Sequence, residues 1–246
     1  MKHANAAAIE QERPVAVSGS TWGERVEPWE AIAASPAFQR IAAIVFDEAS
    51  AGPEDRVIDL GAGTGLLTLP LAGYVDSVIA VDFSQPMLDR LSEKARVSGA
   101  TNVRTLTADI RCLPLADESA TLVVSNYAFH HLSDADKELA LSEARRVLEP
   151  GGRLVVSDMM FQLSLDPRDR AIVAEKVRAI ARRGPAGVAR LLKNAFRVAR
   201  GTWEHPAPVD RWRRMLESRH FEQVEVRLLE QEAGLAVGRR PFREAP

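Results

Sequence analysis

The chain has one cysteine, Cys112. No intramolecular disulfide can form, and a CxxC metal site is excluded. No apolar run approaches the roughly 18 residues that would suggest a membrane span. The first residues, MKHANAAAIEQERP, lack the apolar core of a signal peptide, because Glu10, Glu12 and Arg13 interrupt it. Charge of one sign is also lacking: 32 basic residues face 34 acidic ones. The formal net charge is therefore only −2, and no global field favours nucleic acid. A soluble cytoplasmic protein is expected. No internal repeat is present. Apolar residues make up 46% and charged residues 27% of the 246 positions, which fits a globular protein with one large α/β domain or two small ones.

What is present is a rhythm. Residues 1–20 carry no sustained periodicity and are expected to be a mobile tail. Residues 21–50 form a flap: PWEAIAASPAFQRIAAIVFDEA (28–49) reads as helical with a break near Pro36, and Ala51-Gly52-Pro53 stops it. Over 51–160, β-type runs then alternate with helical patterns. Strands are expected at 57–60, 77–81, 103–107, 120–125 and 153–157. Helices are expected at 66–74, 86–98 and 134–148, the second capped by Ser84 with Pro86 in its first turn. Such alternation means βαβ units and a parallel sheet with helices on both faces. Residues 161–210 read as two or three helices with no strand between them, and are assigned as a helical lid. Residues 211–246 supply a final helix and two β-type runs, 223–229 and 235–239, expected as an antiparallel pair at the sheet edge. The fold class is thus a Rossmann-like, doubly wound, mostly parallel seven-stranded sheet with a helical lid insertion.

Open parallel sheets bind ligands beyond the carboxyl ends of their strands, and VIDLGAGTG (57–65) places Gly61, Gly63 and Gly65 at such an end. The glycines serve either a tight turn or a ligand pocket. A Walker P-loop is excluded, since no lysine follows. A dinucleotide fingerprint would place its third glycine at position 66, which is Leu66. Asp82 ends the second strand about 20 positions further on, where a carboxylate can accept hydrogen bonds from ribose hydroxyls; the alternative is an acid at a helix N-terminus. Asp109, past the third strand, is placed to take an adenine amine, with Ile110 against the ring.

These stretches, together with VIAVDFS (78–84), ADI (108–110), LPLADESATLVVSNYAFHHL (113–132) and EARRVLEPGGRLVVSD (143–158), resemble the class I S-adenosylmethionine-dependent methyltransferases of the small-molecule type. The resemblance covers about residues 50–160. It implies S-adenosyl-L-methionine as cofactor. Asp59, Gly61 and Gly63 would serve its methionine end, Asp82 the ribose, Phe83 and Ile110 the adenine faces and Asp109 the adenine amine, with the backbone around Ser125 meeting the methionine amino group. One departure is Ala120-Thr121, where relatives show an aromatic followed by Asp; altered local packing is the expected consequence. Alternatives are an aminopropyl transferase, although no acidic cluster suits a polyamine, or a non-catalytic module that keeps the pocket. Ser125-Asn126-Tyr127-Ala128 is not the [DN]PP[YFW] loop of amino-methylating DNA enzymes, and Cys112 follows Arg111 instead of the proline of a cytosine C5 nucleophile. A small-molecule acceptor is therefore expected, not DNA, with RNA a lesser alternative.

Methyl transfer from a sulfonium needs chiefly positioning, and a base only where the acceptor must lose a proton. His130 and His131 are the candidates, against the alternative that they bond loop backbone. Asp158 could line the acceptor pocket or cap a following helix. Residues 161–220 hold twelve Arg and two Lys against six acids, a net charge of +8. Within them Val177 and Ile180, and later Leu191, Leu192, Ala195 and Phe196, form apolar faces. These, with Trp22, Trp29 and Phe38 of the flap, would cover an apolar or aromatic acceptor bearing an anionic group; the alternative is a solvated basic face. A basic amphipathic stretch can also lie on an anionic membrane surface.

Overall fold

The computed structural model describes residues 26–243, except 163, 165, 183, 186, 187, 190, 192–195, 197–203 and 231. The expected tail over 1–20, Trp22, and Leu192 and Ala195 of the lid lie outside the described residues.

Two helices come first, α1 (Val26–Ala33) and α2 (Pro36–Ala49). The break between them falls at Ser35, extended at ψ 146°, ahead of a proline in the first turn of α2. Proline fits there because the first-turn N–H has no helical partner. Then follow β1 (Arg56–Leu60), α3 (Thr68–Ala72), β2 (Ser77–Asp82), α4 (Gln85–Ser98), β3 (Val103–Thr107) and β4 (Ala120–Asn126). After them come α5 (Asp134–Val147), β5 (Leu148–Met159), α6 (Pro167–Ala181), α7 (Val209–Ser218), β6 (Glu222–Leu228) and β7 (Ala233–Arg239).

All seven strands form one sheet of order β3-β2-β1-β4-β5-β7-β6. β1 to β5 pair parallel, while β7 runs antiparallel to both β5 and β6. Strands buried on both faces read as continuous apolar runs, and successive residues serve opposite layers. Val57 packs with Ala42, Val45 and Leu71, whereas Ile58 packs with Leu141, Ala144 and Trp212. Thus α2 and α3 cover one face, and α5 and α7 the other.

Three expectations on element bounds are corrected. The helix expected over 66–74 is only Thr68–Ala72, because Pro70 is tolerated only in a first turn and Gly73 ends the element. Pro150-Gly151-Gly152 do not separate α5 from its strand; β5 begins at Leu148, directly after the helix. Gly151 is required there: its φ is +83°, and a Cβ would lie 2.3 Å from Phe242. Ser84 stands at the N-cap position of α4, but its hydroxyl makes no capping bond.

Thr121 shows what its departure from the family pattern does. Its hydroxyl donates to Asp55 (2.6 Å), which also takes the Gly52 N–H and pairs with Arg153. Ala120 beside it is fully buried. No described helix is long and apolar enough to cross a membrane.

Candidate active site

The glycine loop turns sharply at the carboxyl end of β1. Gly61 and Gly63 have φ of +72° and +53°, a region that disfavours side chains. A Cβ on Gly61 would lie 2.3 Å from the Ala128 Cβ, and one on Gly63 would lie 3.1 Å from the Trp29 indole nitrogen. The loop is therefore flanked by the turn after β4 on one side and by α1 on the other.

Asp82 holds this loop. Its two carboxylate oxygens accept the backbone N–H groups of Gly63 and Ser84, each at 2.9 Å. Burial raises its pKa against the pull of those N–H groups. Each oxygen keeps a further lone pair, so the carboxylate can still accept a ribose hydroxyl. Asp59 is more deeply placed, 2% exposed, with its carboxylate on the Thr68 hydroxyl at 2.6 Å. Burial pushes its pKa up to about 7, and the neighbouring charge of Asp82 adds to the rise. Asp59 thus braces the loop from beneath.

The adenine side differs from the expected picture. The Asp109 carboxylate is taken by Arg111, whose Nε lies 3.0 Å from both oxygens and whose backbone N–H also donates to it. Arg111 reaches on to Asp136 at 2.7 Å. Burial opposes ionisation of Asp109, but the guanidinium holds its pKa below the usual range. Phe83 is half-exposed at the end of β2, and Ile110 packs partly buried against the core. The Ser125 hydroxyl is committed to the Leu60 carbonyl at 2.7 Å, which leaves its backbone for any ligand.

The histidines separate into two environments. His130 is buried and His131 is exposed. Asp158, 1% exposed, contacts His130 Nδ1 at 2.7 Å and accepts the His130 backbone N–H at 2.9 Å. It also accepts the Met159 N–H. Burial opposes its charge, but His130, that N–H and the nearby His131 hold its pKa below the usual carboxylate range. The carboxylate accepts, so it fixes the Nδ1–H form and leaves Nε2 as the accepting atom of the ring. Asp158 does not cap a helix: α6 begins at Pro167 and is capped by Asp166.

An aromatic row joins the loop to this pair. Trp29 meets Phe38 edge-on at 5.8 Å, Phe38 meets Tyr127 at 4.6 Å, and Tyr127 meets His130 at 6.1 Å. Tyr127 takes φ +55°, a costly conformation for a bulky residue. Its N–H is secured by the Ser157 carbonyl at 2.9 Å. Burial, with the charges of Glu232 and Asp158, pushes the phenol pKa up, so Tyr127 stays neutral.

Ile172 and Val173 of α6 pack with Phe38, Ile41 and Tyr127. Val177 is 43% exposed. Among the described residues the first turns of α6 pack on this row, whereas the sequence points to Val177 and Ile180. The segment before α7 is fastened by backbone: His205 N–H donates to the His130 carbonyl at 2.7 Å. Lys137, 1% exposed, donates to the carbonyls of Leu132 (2.8 Å) and His205 (2.5 Å). Sequence reasoning missed Lys137, His205 and Arg111. For Lys137 a signal existed: it falls in the apolar stripe of Ala140, Leu141 and Ala144, where a lysine has to find partners.

Strand order, glycine loop and the acid ending β2 define the Rossmann-like fold of the class I methyltransferases. Residues 57–152 match the methyltransferase domain family. That stretch is similar to methyltransferase domains. The chain is 38% identical over 105 residues to the uncharacterized methyltransferase YcgJ of Bacillus subtilis, a match covering 43% of this chain and 41% of that protein. It is 41% identical over 107 residues to the malonyl-[acyl-carrier protein] O-methyltransferase of Methylococcus capsulatus, covering 43% and 38%. The matches span less than half the length of either relative. A SAM-dependent methyltransferase from Aquifex aeolicus superposes with a TM-score of 0.62 at 17% identity, over 88% of this chain and 97% of that one. At that identity the likeness is one of fold.

The residues present fit the cofactor. The bare glycine cradle, the acid of β2 and the unpaired indole nitrogen of Trp29 meet at one loop. No group of three or more possible metal ligands occurs among the described residues.

Proposed function

We propose that the protein transfers a methyl group from S-adenosyl-L-methionine to a small, apolar or aromatic acceptor that carries an anionic group and loses a proton on methylation. The observation that carries this reading is the buried His130–Asp158 pair at 2.7 Å, joined by Tyr127 to the aromatic row at the glycine loop. When bound, the cofactor supplies an electrophilic sulfonium methyl. Asp82 and the backbone around Gly61, Gly63 and Ser125 hold it, and Phe83 and Ile110 border its adenine. Arg111 must yield part of its hold on Asp109 for that carboxylate to take the adenine amine. Phe38 and Tyr127 give the acceptor an apolar wall. His130 accepts the acceptor's proton at Nε2, while Asp158 accepts the Nδ1–H hydrogen bond and stabilises the imidazolium. The +8 charge of residues 161–220 favours an anionic acceptor.

The test is S-adenosylhomocysteine formation with a panel of anionic, neutral and cationic phenols and enols. Anionic members should turn over best. Asp158→Asn and His130→Ala should each lower kcat by about 10²-fold with cofactor affinity unchanged. Preference for cationic amines, or full activity of both variants, would sink the proposal.

A further inference from the structure

α1 buries only Ala33, its last residue, so packing does little to hold it down. It nevertheless covers the glycine loop. The indole nitrogen of Trp29 is the atom that a Cβ on Gly63 would meet, at 3.1 Å, and it is buried with no hydrogen-bond partner. A buried N–H without a partner is unfavourable, so Trp29 does not by itself keep α1 in place. The tie is made by Glu30, the next residue. Its carboxylate accepts Arg90 Nε at 3.1 Å and Lys94 Nζ at 3.2 Å. Arg90 and Lys94 lie one turn apart on α4 and share a face. Lys94 also donates to the Thr64 carbonyl at 2.9 Å, one residue past the Gly63 N–H that Asp82 accepts. One carboxylate thus bridges α1 to α4 and, through Lys94, to the loop itself. Burial opposes ionisation of Glu30, but the two cations hold its pKa below the usual carboxylate range. At its other end α1 meets α2 at Ser35, extended at ψ 146°. There it is joined by the Gln39 amide on the Ala33 carbonyl at 2.8 Å and by Trp29 against Phe38.

We infer that α1 is a gate over the cofactor site and that Glu30 is its latch. The inference rests on the methyltransferase reading. While Glu30 grips Arg90 and Lys94, Trp29 fills the space over Gly63 and shuts that side of the loop. Release of the carboxylate lets α1 swing about Ser35 and opens Gly63 to the cofactor, at the expense of no buried residue of α1 but Ala33. Regripping closes Trp29 over the bound molecule. Glu30 touches no cofactor; it is a positioning residue that acts through Trp29 and Lys94. The latch is the same with and without ligand, so it sets the rates of entry and release and leaves affinity unchanged. α1 lies outside the matched domain of 57–152, so the gate is an addition to that domain.

The experiment follows S-adenosylhomocysteine binding to the full chain by stopped-flow tryptophan fluorescence, with calorimetry for affinity. Two partly exposed pairs on one carboxylate are together worth about threefold to tenfold in an equilibrium. Glu30→Gln, near in size, should raise the association and dissociation rates together by that factor and keep affinity within about twofold of wild type. Arg90→Leu, which removes one of the two pairs, should shift both rates the same way by less. Glu27→Gln, the same charge change at an exposed position of α1, should leave both rates as in wild type. Added salt should carry the wild-type rates toward those of Glu30→Gln. A rise in dissociation alone would make α1 a fixed contact and overturn the gate. Unchanged rates in Glu30→Gln, or equal effects from Glu27→Gln, would overturn the latch. Failure of the wild-type protein to bind S-adenosylhomocysteine would instead overturn the methyltransferase reading beneath it.

Discussion

Replacing Asp59 by Asn should stabilise the free protein, and more so as pH rises. Asp59 is 2% exposed and its carboxyl pKa stands at about 7, because burial disfavours the charge and Asp82 repels it. In the unfolded chain an Asp titrates near 3.9. Between about pH 4 and 7 the native state therefore holds a proton that the unfolded state has released. Stability falls with pH across that window and levels off above it. The full shift, about three units at 1.36 kcal/mol each, sets a ceiling of about 4 kcal/mol. Relaxation around Thr68 reduces this, so about 2–4 kcal/mol is expected. An Asn oxygen can keep the Thr68 hydroxyl bond while nothing titrates. Urea unfolding of both proteins from pH 4 to 8 checks this, since other groups cancel in the difference. The advantage of Asp59→Asn should grow between pH 4 and 7 and then stay constant. Parallel curves would refute a protonated, buried Asp59.

Asp82→Ala removes the acceptor for Gly63 and Ser84 as well as the ribose contact proposed above. S-adenosylmethionine affinity should fall about tenfold to a hundredfold, measured by calorimetry; a folded variant with wild-type affinity contradicts the assignment. Lys137→Met should leave the Leu132 and His205 carbonyls unpaired, at about 1–3 kcal/mol each. Part of that is offset because a buried charge is no longer desolvated. A net loss of about 2 kcal/mol or more in urea unfolding is expected, and unchanged stability would count against the clamp.

The parallel core was legible because its strands are apolar on both faces and its turns are marked by proline and glycine, as at Pro86 and Gly99. The late antiparallel pair was also legible. That β7 sits inside β6, against β5, was not, because strand order depends on long-range packing that periodicity does not record. That Asp82 closes β2 was readable from the apolar run before it. The capture of Asp109 by Arg111 was not, since a neighbouring charge gives no sign of where its side chain turns. Asp158 was singled out, but its pairing with His130 joins residues 28 positions apart. The apolar pattern of α6 misled because spacing shows a face without showing how far its partner extends: Phe38 and Tyr127 meet Ile172 and Val173, and Val177 is left exposed.

The sheet order sets a problem for the chain as it is made. β5 is the longest strand, and its partner on the outer edge, β7, is also the last strand to leave the ribosome. Met159 pairs with Ala233 and Arg153 with Arg239. Until then β5 presents open N–H and C=O groups beside Leu154 and Val156, the kind of edge that recruits other chains. Synthesis at about 5–20 residues per second leaves that edge uncovered for seconds. Slow non-local pairing and dependence on chaperones during overexpression follow from topology alone, and a chain truncated before Ala233 should be found mainly in aggregates.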